Sequence, residues 1–268
     1  MTCACGHHHS PRHHHEAKGT PVPLPRPMLG LTGQLVCQDA GQMMTALSLL
    51  PEHLRLSREE PGCLRFDLWQ DEDPLIWHLS ELFIDADAFA AHGARTADSA
   101  WGRESSGIGR DFQRREVFPV IRRETRQDLD AIDALLIAAF GGDDEARLVR
   151  KLRQDGDLSL SLVADAAGTL LGHVALSPLG AEAPAYALAP LSVAPKAQRL
   201  GLGMALVQQA VAWADTAAVV VVGAPGYYGQ LGFKPADLRS PYAGLAMQMI
   251  GDLPKGSVLR HAPAFETL

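Results

Sequence analysis

The sequence predicts an α+β protein built as two domains that meet near residue 118. Three observations point to this. The chain has 268 residues, more than one compact core usually takes, so two domains of ~100–150 residues each are expected. Segments of strict two-residue alternation and segments with an apolar residue at every third or fourth position follow one another on both sides of that junction. The composition, 47% hydrophobic and 21% charged, is that of a globular chain, and no apolar run approaches the ~20 residues of a membrane span. No membrane partner is expected, and the cytoplasm is the expected location. The formal net charge of -7 opposes a broad nucleic-acid surface, so no nucleic-acid partner is expected and any anionic ligand needs a local device to hold it.

Residues 1–27 are rich in His, Pro and Cys, lack the apolar core of a signal peptide, and read as a disordered leader. Within it Cys3, Cys5, His7, His8, His9, His13, His14 and His15 offer the thiolate and imidazole groups that soft or borderline metals prefer. A tract without fixed geometry is more simply incidental, and no metal is expected. Cys37 and Cys63 fall in apolar-patterned segments, as buried reduced thiols do, so no disulfide framework is indicated.

The first domain, 28–117, starts with a strand at 31–37 and a helix with Met44, Leu47, Leu50 and Leu54 at helical spacing, Pro51 marking a kink or break. Residues 63–69 alternate, with Leu64, Phe66 and Leu68 on one face; Asp71-Glu72-Asp73-Pro74 turns the chain into a second alternating run at 75–82, completing a hairpin. Asp85 offers an N-cap to a short helix carrying Phe89 and His92, and a strand at 112–117 closes a β-α-β-β-α-β order. That order predicts a ferredoxin-like α+β sandwich.

Through Ser57-Arg58-Glu59-Glu60-Pro61-Gly62-Cys63, the hairpin that follows, and Ala88-Phe89-Ala90-Ala91-His92, this segment resembles the antibiotic biosynthesis monooxygenase (ABM) family over about residues 30–116. The resemblance implies a dimeric α+β barrel, hence a homodimer formed through this domain, and a family that includes cofactor-independent oxygenases of quinols and related aromatics. It makes His92 a candidate base or substrate contact, with Trp69 and Trp77 as candidate cavity walls. The alternative is a structural histidine with the tryptophans in the core or an interface. Some active members of the family use an asparagine near the substrate, and this chain contains none. A dimerising or binding role therefore stands beside catalysis.

The second domain, 119–268, opens with a strand at Val120, a helix at 128–140 with Leu129, Ile132, Leu135, Leu136 and Ala139 on one face, and a second helix around 145–153. A hairpin follows at 158–164 and 170–176, then a strand at 186–193. Pro190 cannot donate to a sheet ladder, so that strand is expected to be splayed or bulged. After Val193 the chain runs Ala194-Pro195-Lys196-Ala197-Gln198-Arg199-Leu200-Gly201-Leu202-Gly203 into a helix at 204–214 with Leu206, Ala210 and Trp213 on one face. Glycines let backbone N–H groups turn toward one point, and the helix N-terminus adds its positive dipole end, a combination that suits a pyrophosphate. A P-loop would need Gly-Lys-Ser/Thr, and a dinucleotide fingerprint a third glycine where Leu206 stands; both fail.

The pattern Gln198-x-x-Gly201-x-Gly203, preceded by Pro190-Leu191-Ser192-Val193-Ala194-Pro195, resembles the acetyl-CoA loop and fourth strand of the GNAT N-acetyltransferases. Tyr228 followed by Gly232-Phe233, after a buried strand at 219–222, is similar to that family's tyrosine and Gly-Phe pair, and the likeness spans about residues 120–266. It implies a mixed-sheet fold with acetyl-CoA as co-substrate. The cofactor-binding positions it implies are Leu191, Ser192, Val193, Gln198, Arg199, Leu200, Gly201, Leu202, Gly203 and Met204, the backbone at Leu191 and Val193 holding pantetheine and polarising the thioester carbonyl. Tyr228 takes the place of the general acid and Tyr227 that of packing; the alternative for Tyr228 is a core aromatic capping the slot.

The implied chemistry is attack of a neutral amine on a thioester, with no metal or flavin. Asp143, Asp144 and Glu145 lie between the two helices bordering the acceptor cleft; Glu145 is the candidate base, against a solvated helix start. The acceptor is expected to be a small-molecule amine. Two other readings stay open: an oxygenase in the first half beside a degenerate transferase scaffold, and a CoA-binding sensor dimerised by the first half.

Overall fold

The computed structural model describes residues 22–24, 26–244 and 246–267; the Cys and His residues of the leader lie outside them. In the first half, β1 (Val22–Pro23) is followed by β2 (Met28–Val36), α1 (Ala40–Glu59), the hairpin β3 (Cys63–Gln70) and β4 (Ile76–Phe83), α2 (Ala86–Ala97), the short α3 (Ala100–Glu104) and β5 (Gly109–Val117). β2 to β5 form one antiparallel sheet in the order β3-β4-β2-β5, the ferredoxin-like arrangement. Asp39 and Asp85 start α1 and α2 by accepting from the amides of Gln42 (2.9 Å) and Ala88 (2.8 Å). Both helices cover one sheet face, where Leu50 packs with Leu35, and Leu54 and Phe89 with Leu31, Phe66 and Phe83.

Three expectations are corrected here. α1 runs unbroken through Pro51, because a proline removes one helix hydrogen bond while packing of the buried face supports the rest. That face is Ala46, Leu50, His53 and Ser57, whereas Met44 and Leu47 are 59% and 41% exposed. Two polar residues are drawn inward because they are hydrogen-bonded: Ser57 Oγ donates to the His53 carbonyl (2.7 Å) and accepts from Arg95 Nη2 (2.7 Å). Leu64 does not share a face with Phe66 and Leu68, since a register shift between Cys63 and Arg65 turns it to the other side.

The second half contains β6 (Val120–Arg123), α4 (Leu129–Phe140), α5 (Asp144–Asp155), β7 (Leu160–Ala166), β8 (Thr169–Leu179), β9 (Ala185–Val193), α6 (Leu202–Ala214), β10 (Ala218–Val222), α7 (Pro225–Gly229), β11 (Lys234–Pro235) and β12 (Met247–Ile250). With β1 these strands make an eight-stranded sheet in the order β1-β6-β7-β8-β9-β10-β12-β11, antiparallel except between β9 and β10. Alternation along β7 builds both layers: Leu162 and Ala164 pack under α6, while Val163 meets Ile132 and Leu136 of α4 and Val149 of α5.

Val22 and Pro23 belong to this sheet and not to a leader, pairing with Ile121 and Val120 at the sheet edge, where proline is tolerated. The two halves share one apolar interior: Met28, Leu82 and Val117 cluster with Ile121, Ala166 and Leu171. Arg65 Nη1 reinforces the join by donating to the Ala167 carbonyl (2.8 Å) and Thr169 Oγ1 (2.7 Å), and Lys196 Nζ does so at the Glu60 carbonyl (3.0 Å).

Candidate functional site

Pro190 shapes β9. Val174 of β8 pairs with Leu191 and Leu176 with Leu188, so Ala189 and Pro190 together oppose Ala175, the bulge that a strand proline requires. On its other side β9 pairs with β10 only through Ala185, Tyr186 and Ala187, while Val221 and Val222 of β10 pair with Gln248 and Met247 of β12 alone. From Leu188 onward the two strands are splayed.

The loop after β9 is fixed by the Ala194 amide donating to the Leu171 carbonyl (2.9 Å), a 3₁₀ turn at Pro195–Ala197, and left-handed backbone at Arg199 (φ 64°) and Gly201 (φ 88°). Gly201 is the N-cap of α6 and brings no side chain, so the first-turn N–H groups of that 13-residue helix keep their donors and their share of the positive dipole end. Gly203 is a second requirement: a Cβ there would lie 2.6 Å from the Tyr227 hydroxyl and 3.3 Å from Val193 Cγ2. The resulting cleft has a volume of about 540 Å³ and is walled by Leu191, Val193, Gln198, Gly201, Gly203 and Tyr227. One end suits an anion; the other offers the unpaired edge of β9 to an extended chain.

Of the residues expected at the cofactor, Arg199, Leu202 and Met204 also line this cleft, and Leu200 lines an adjoining one. Ser192 lines neither: alternation buries its side chain on the opposite face of β9, 3% exposed, with Oγ lacking a hydrogen-bond partner among the described residues. Tyr228 is 8% exposed and packs edge-on against Phe233 and Tyr227. A Cβ on Gly223, just past β10, would lie 2.4 Å from Tyr228 Cε2, which places that ring beside the splay. Tyr227, expected only to pack, is a cleft wall. Glu145 is half-buried in the first turn of α5 and is not among the residues walling the cleft. Its neighbours Asp143 and Asp144 are paired with Arg147 at the surface.

A second cavity, about 190 Å³, lies between the four-stranded sheet and its helices, walled by His53, Phe66, Glu81, His92, Trp101 and Phe112. His92 Nδ1 is 2.9 Å from Glu60 Oε2, and Arg95 bridges Glu60 Oε1 (2.8 Å) and His53 Nδ1 (3.2 Å). Burial, with Arg95, His92 and Arg110 adding repulsion, pushes His53 down to about 3; burial also lowers His92, against the pull of Glu60. The expected tryptophan walls are corrected. Trp69 is 50% exposed and stacked on His78, because alternation turns it away from Phe66 and Leu68, and Trp77 packs with Leu35 and Trp101 without reaching the cavity.

Glu81 is the residue that sequence reading missed here, although its signal was present: in Leu79-x-Glu81-x-Phe83 an acid occupies the apolar face of a strand. It is 3% exposed, Oε2 has no hydrogen-bond partner among the described residues, and burial together with Glu60 raises its pKa to about 8. The folded carboxyl is thus neutral where the unfolded one, near ~4.3, is ionised, so its presence lowers stability as pH rises from ~4 toward 8. Glu81→Gln should gain stability over the wild type across that window, by on the order of a few kcal/mol at its upper end. Urea unfolding at pH 5, 6.5 and 8 measures this, and a pH-independent difference contradicts it.

A mixed sheet with a splayed parallel pair, followed by a glycine loop and an uncapped helix start, defines an acyltransferase of the N-acyltransferase class. A sequence model described as the acetyltransferase (GNAT) family matches residues 129–233, and one described as antibiotic biosynthesis monooxygenase matches residues 39–101. The chain is 41% identical to the "uncharacterized N-acetyltransferase YhbS" of Escherichia coli (strain K12) over 135 residues, which is 47% of this chain and 81% of the relative. The crystal structure of E. coli YhbS in complex with CoA is similar at 34% identity and a TM-score of 0.52, covering 55% of this chain and 92% of that one. The chain belongs to the GNAT acetyltransferase family.

Proposed function

We propose that the chain transfers the acetyl group of acetyl-CoA to a primary amine of a small molecule. The observation that carries this is the cleft in which the splayed edge of β9 leads directly to the uncapped N-terminus of α6. The CoA complex of the similar YhbS structure supports it. Diphosphate sits at the helix end, pantetheine runs along Leu191 and Val193, and backbone N–H groups there polarise the thioester carbonyl. The neutral amine attacks the carbonyl carbon to form the C–N bond, the ammonium proton of the tetrahedral intermediate passes to water, the C–S bond breaks, and the departing thiolate takes a proton from Tyr228, whose phenolate regains one from solvent. Burial and the neighbouring Tyr227 push the Tyr228 phenol up to about 12, so it carries that proton at neutral pH. The Tyr227 hydroxyl, close to Gly203, belongs to the phosphate end instead. Free-thiol release from acetyl-CoA across a panel of primary amines tests the reading; amine-dependent release is expected, and release unaffected by every amine contradicts it.

A second activity is favoured by the cavity of the first half, where His92, held by Glu60 at Nδ1 (2.9 Å) and with Nε2 3.4 Å from Thr96 Oγ1, stands as a base beside apolar walls. It corresponds to cofactor-independent oxygenation of a quinol or related aromatic. Oxygen uptake with a simple naphthoquinol that is lost in His92→Ala supports it, and no enzyme-dependent uptake removes it. We also place the division between the halves at residues 117–119 and a homodimer on the part of the four-stranded sheet's outer face that the transferase half leaves uncovered, where Trp69, stacked on His78, is exposed. A monomeric mass by light scattering contradicts the dimer.

A further inference from the structure

We infer that the 3′-phosphorylated nucleoside end of acetyl-CoA is held in a second cleft, walled by both halves of the chain, with Arg26 recognising the phosphate. This rests on the acetyl-CoA reading above. The second cleft, about 770 Å³, adjoins the first around the same loop: Arg199, Gly201, Leu202 and Met204 line both. An extended molecule with its diphosphate at the start of α6 therefore has β9 on one side for its thioester arm and this cleft on the other for its nucleoside. The volume falls within the ~300–1,000 Å³ of typical ligand pockets, ample for a phosphorylated nucleoside.

The far wall does not come from the transferase half. Arg26 lies between β1 and β2, and Ile84 and Asp85 lie between β4 and α2. Ile84, Leu200 and the 37% exposed Met204 offer apolar surface to a base, and Gln208, one turn along α6 from Met204, offers an amide to its polar edge. Arg26 and Arg199 are both exposed, and neither makes an ion pair among the described residues. The only acid among the described lining residues, Asp85, is already engaged as the N-cap that accepts from the Ala88 amide (2.8 Å). In a chain of net charge -7, two uncommitted arginines facing one cleft are the local device that an anionic ligand needs.

The test is a calorimetric titration of the full-length chain with acetyl-CoA and with 3′-dephospho-acetyl-CoA, in the wild type and in Arg26→Ala. Arg26 is exposed, so its replacement leaves the core intact. The wild type should prefer acetyl-CoA by ~10-fold, and Arg26→Ala should lose most of that preference by weakening acetyl-CoA alone. Equal affinity of the wild type for the two compounds, or a preference that survives in Arg26→Ala, overturns the inference while leaving the acetyl-CoA reading standing. Absence of binding by either compound overturns both.

Discussion

Gly203→Glu is expected to weaken acetyl-CoA binding by at least ~100-fold, the combined effect of lost backbone approach and a carboxylate set against a diphosphate. Even a Cβ at this position would lie 2.6 Å from the Tyr227 hydroxyl and 3.3 Å from Val193 Cγ2, inside the cleft itself. The charge then faces the uncapped N-terminus of α6 and competes with the ligand for the same donors. Gly203→Ala separates the two causes, since it adds bulk without charge and needs only a small displacement of the far end of Tyr227. A loss of about tenfold or less in the alanine variant, against near abolition in the glutamate variant, is the expected pattern. Both are read by calorimetry on protein whose unfolding midpoint has been checked. Unchanged affinity in the glutamate variant would mean that the diphosphate sits elsewhere.

Tyr228→Phe should lower kcat by ~10²–10³-fold while leaving acetyl-CoA affinity within about twofold of the wild type, the signature of a group that acts only as the thiolate departs. Its ring lies over Gly223 at the splay, and burial keeps its proton in place up to about 12. Between pH 8 and 10 the wild-type kcat should therefore show no alkaline loss assignable to this phenol, which would titrate near ~10 if solvated. Tyr227→Phe is the contrasting variant: its hydroxyl stands at the α6 end of the cleft, so affinity should change more than kcat. Equal kcat in Tyr228→Phe and the wild type, across amine acceptors, contradicts the acid role.

The parts of this molecule that were legible in the sequence are those whose information is local. Gln198, Gly201 and Gly203 lie within six consecutive positions, and loop, helix start and anion-binding character follow from them together. The bulge was readable because Pro190 cannot enter a regular ladder. The β-α-β-β-α-β order followed from the change of period between two and three to four. What escaped depends on partners distant in sequence. The buried face of α1 includes His53 and Ser57 because Arg95, some forty positions later, satisfies them; periodicity of apolar residues alone selects the exposed Met44 and Leu47 instead. β1 was hidden in a proline-rich stretch because its pairing partner, β6, lies about a hundred residues away. Glu81 was visible as an acid on an apolar strand face, but the cavity that it enters is assembled from residues as far apart as Leu31 and Phe112. Arg26 gains meaning only where the two halves meet.

Whether the cleft between β9 and α6 takes acetyl-CoA is decided by calorimetric titration of acetyl-CoA into the 268-residue chain, with free acetate as control. Saturable binding of about one molecule per chain in the micromolar range is expected, with no heat from acetate. No binding at millimolar acetyl-CoA would contradict it.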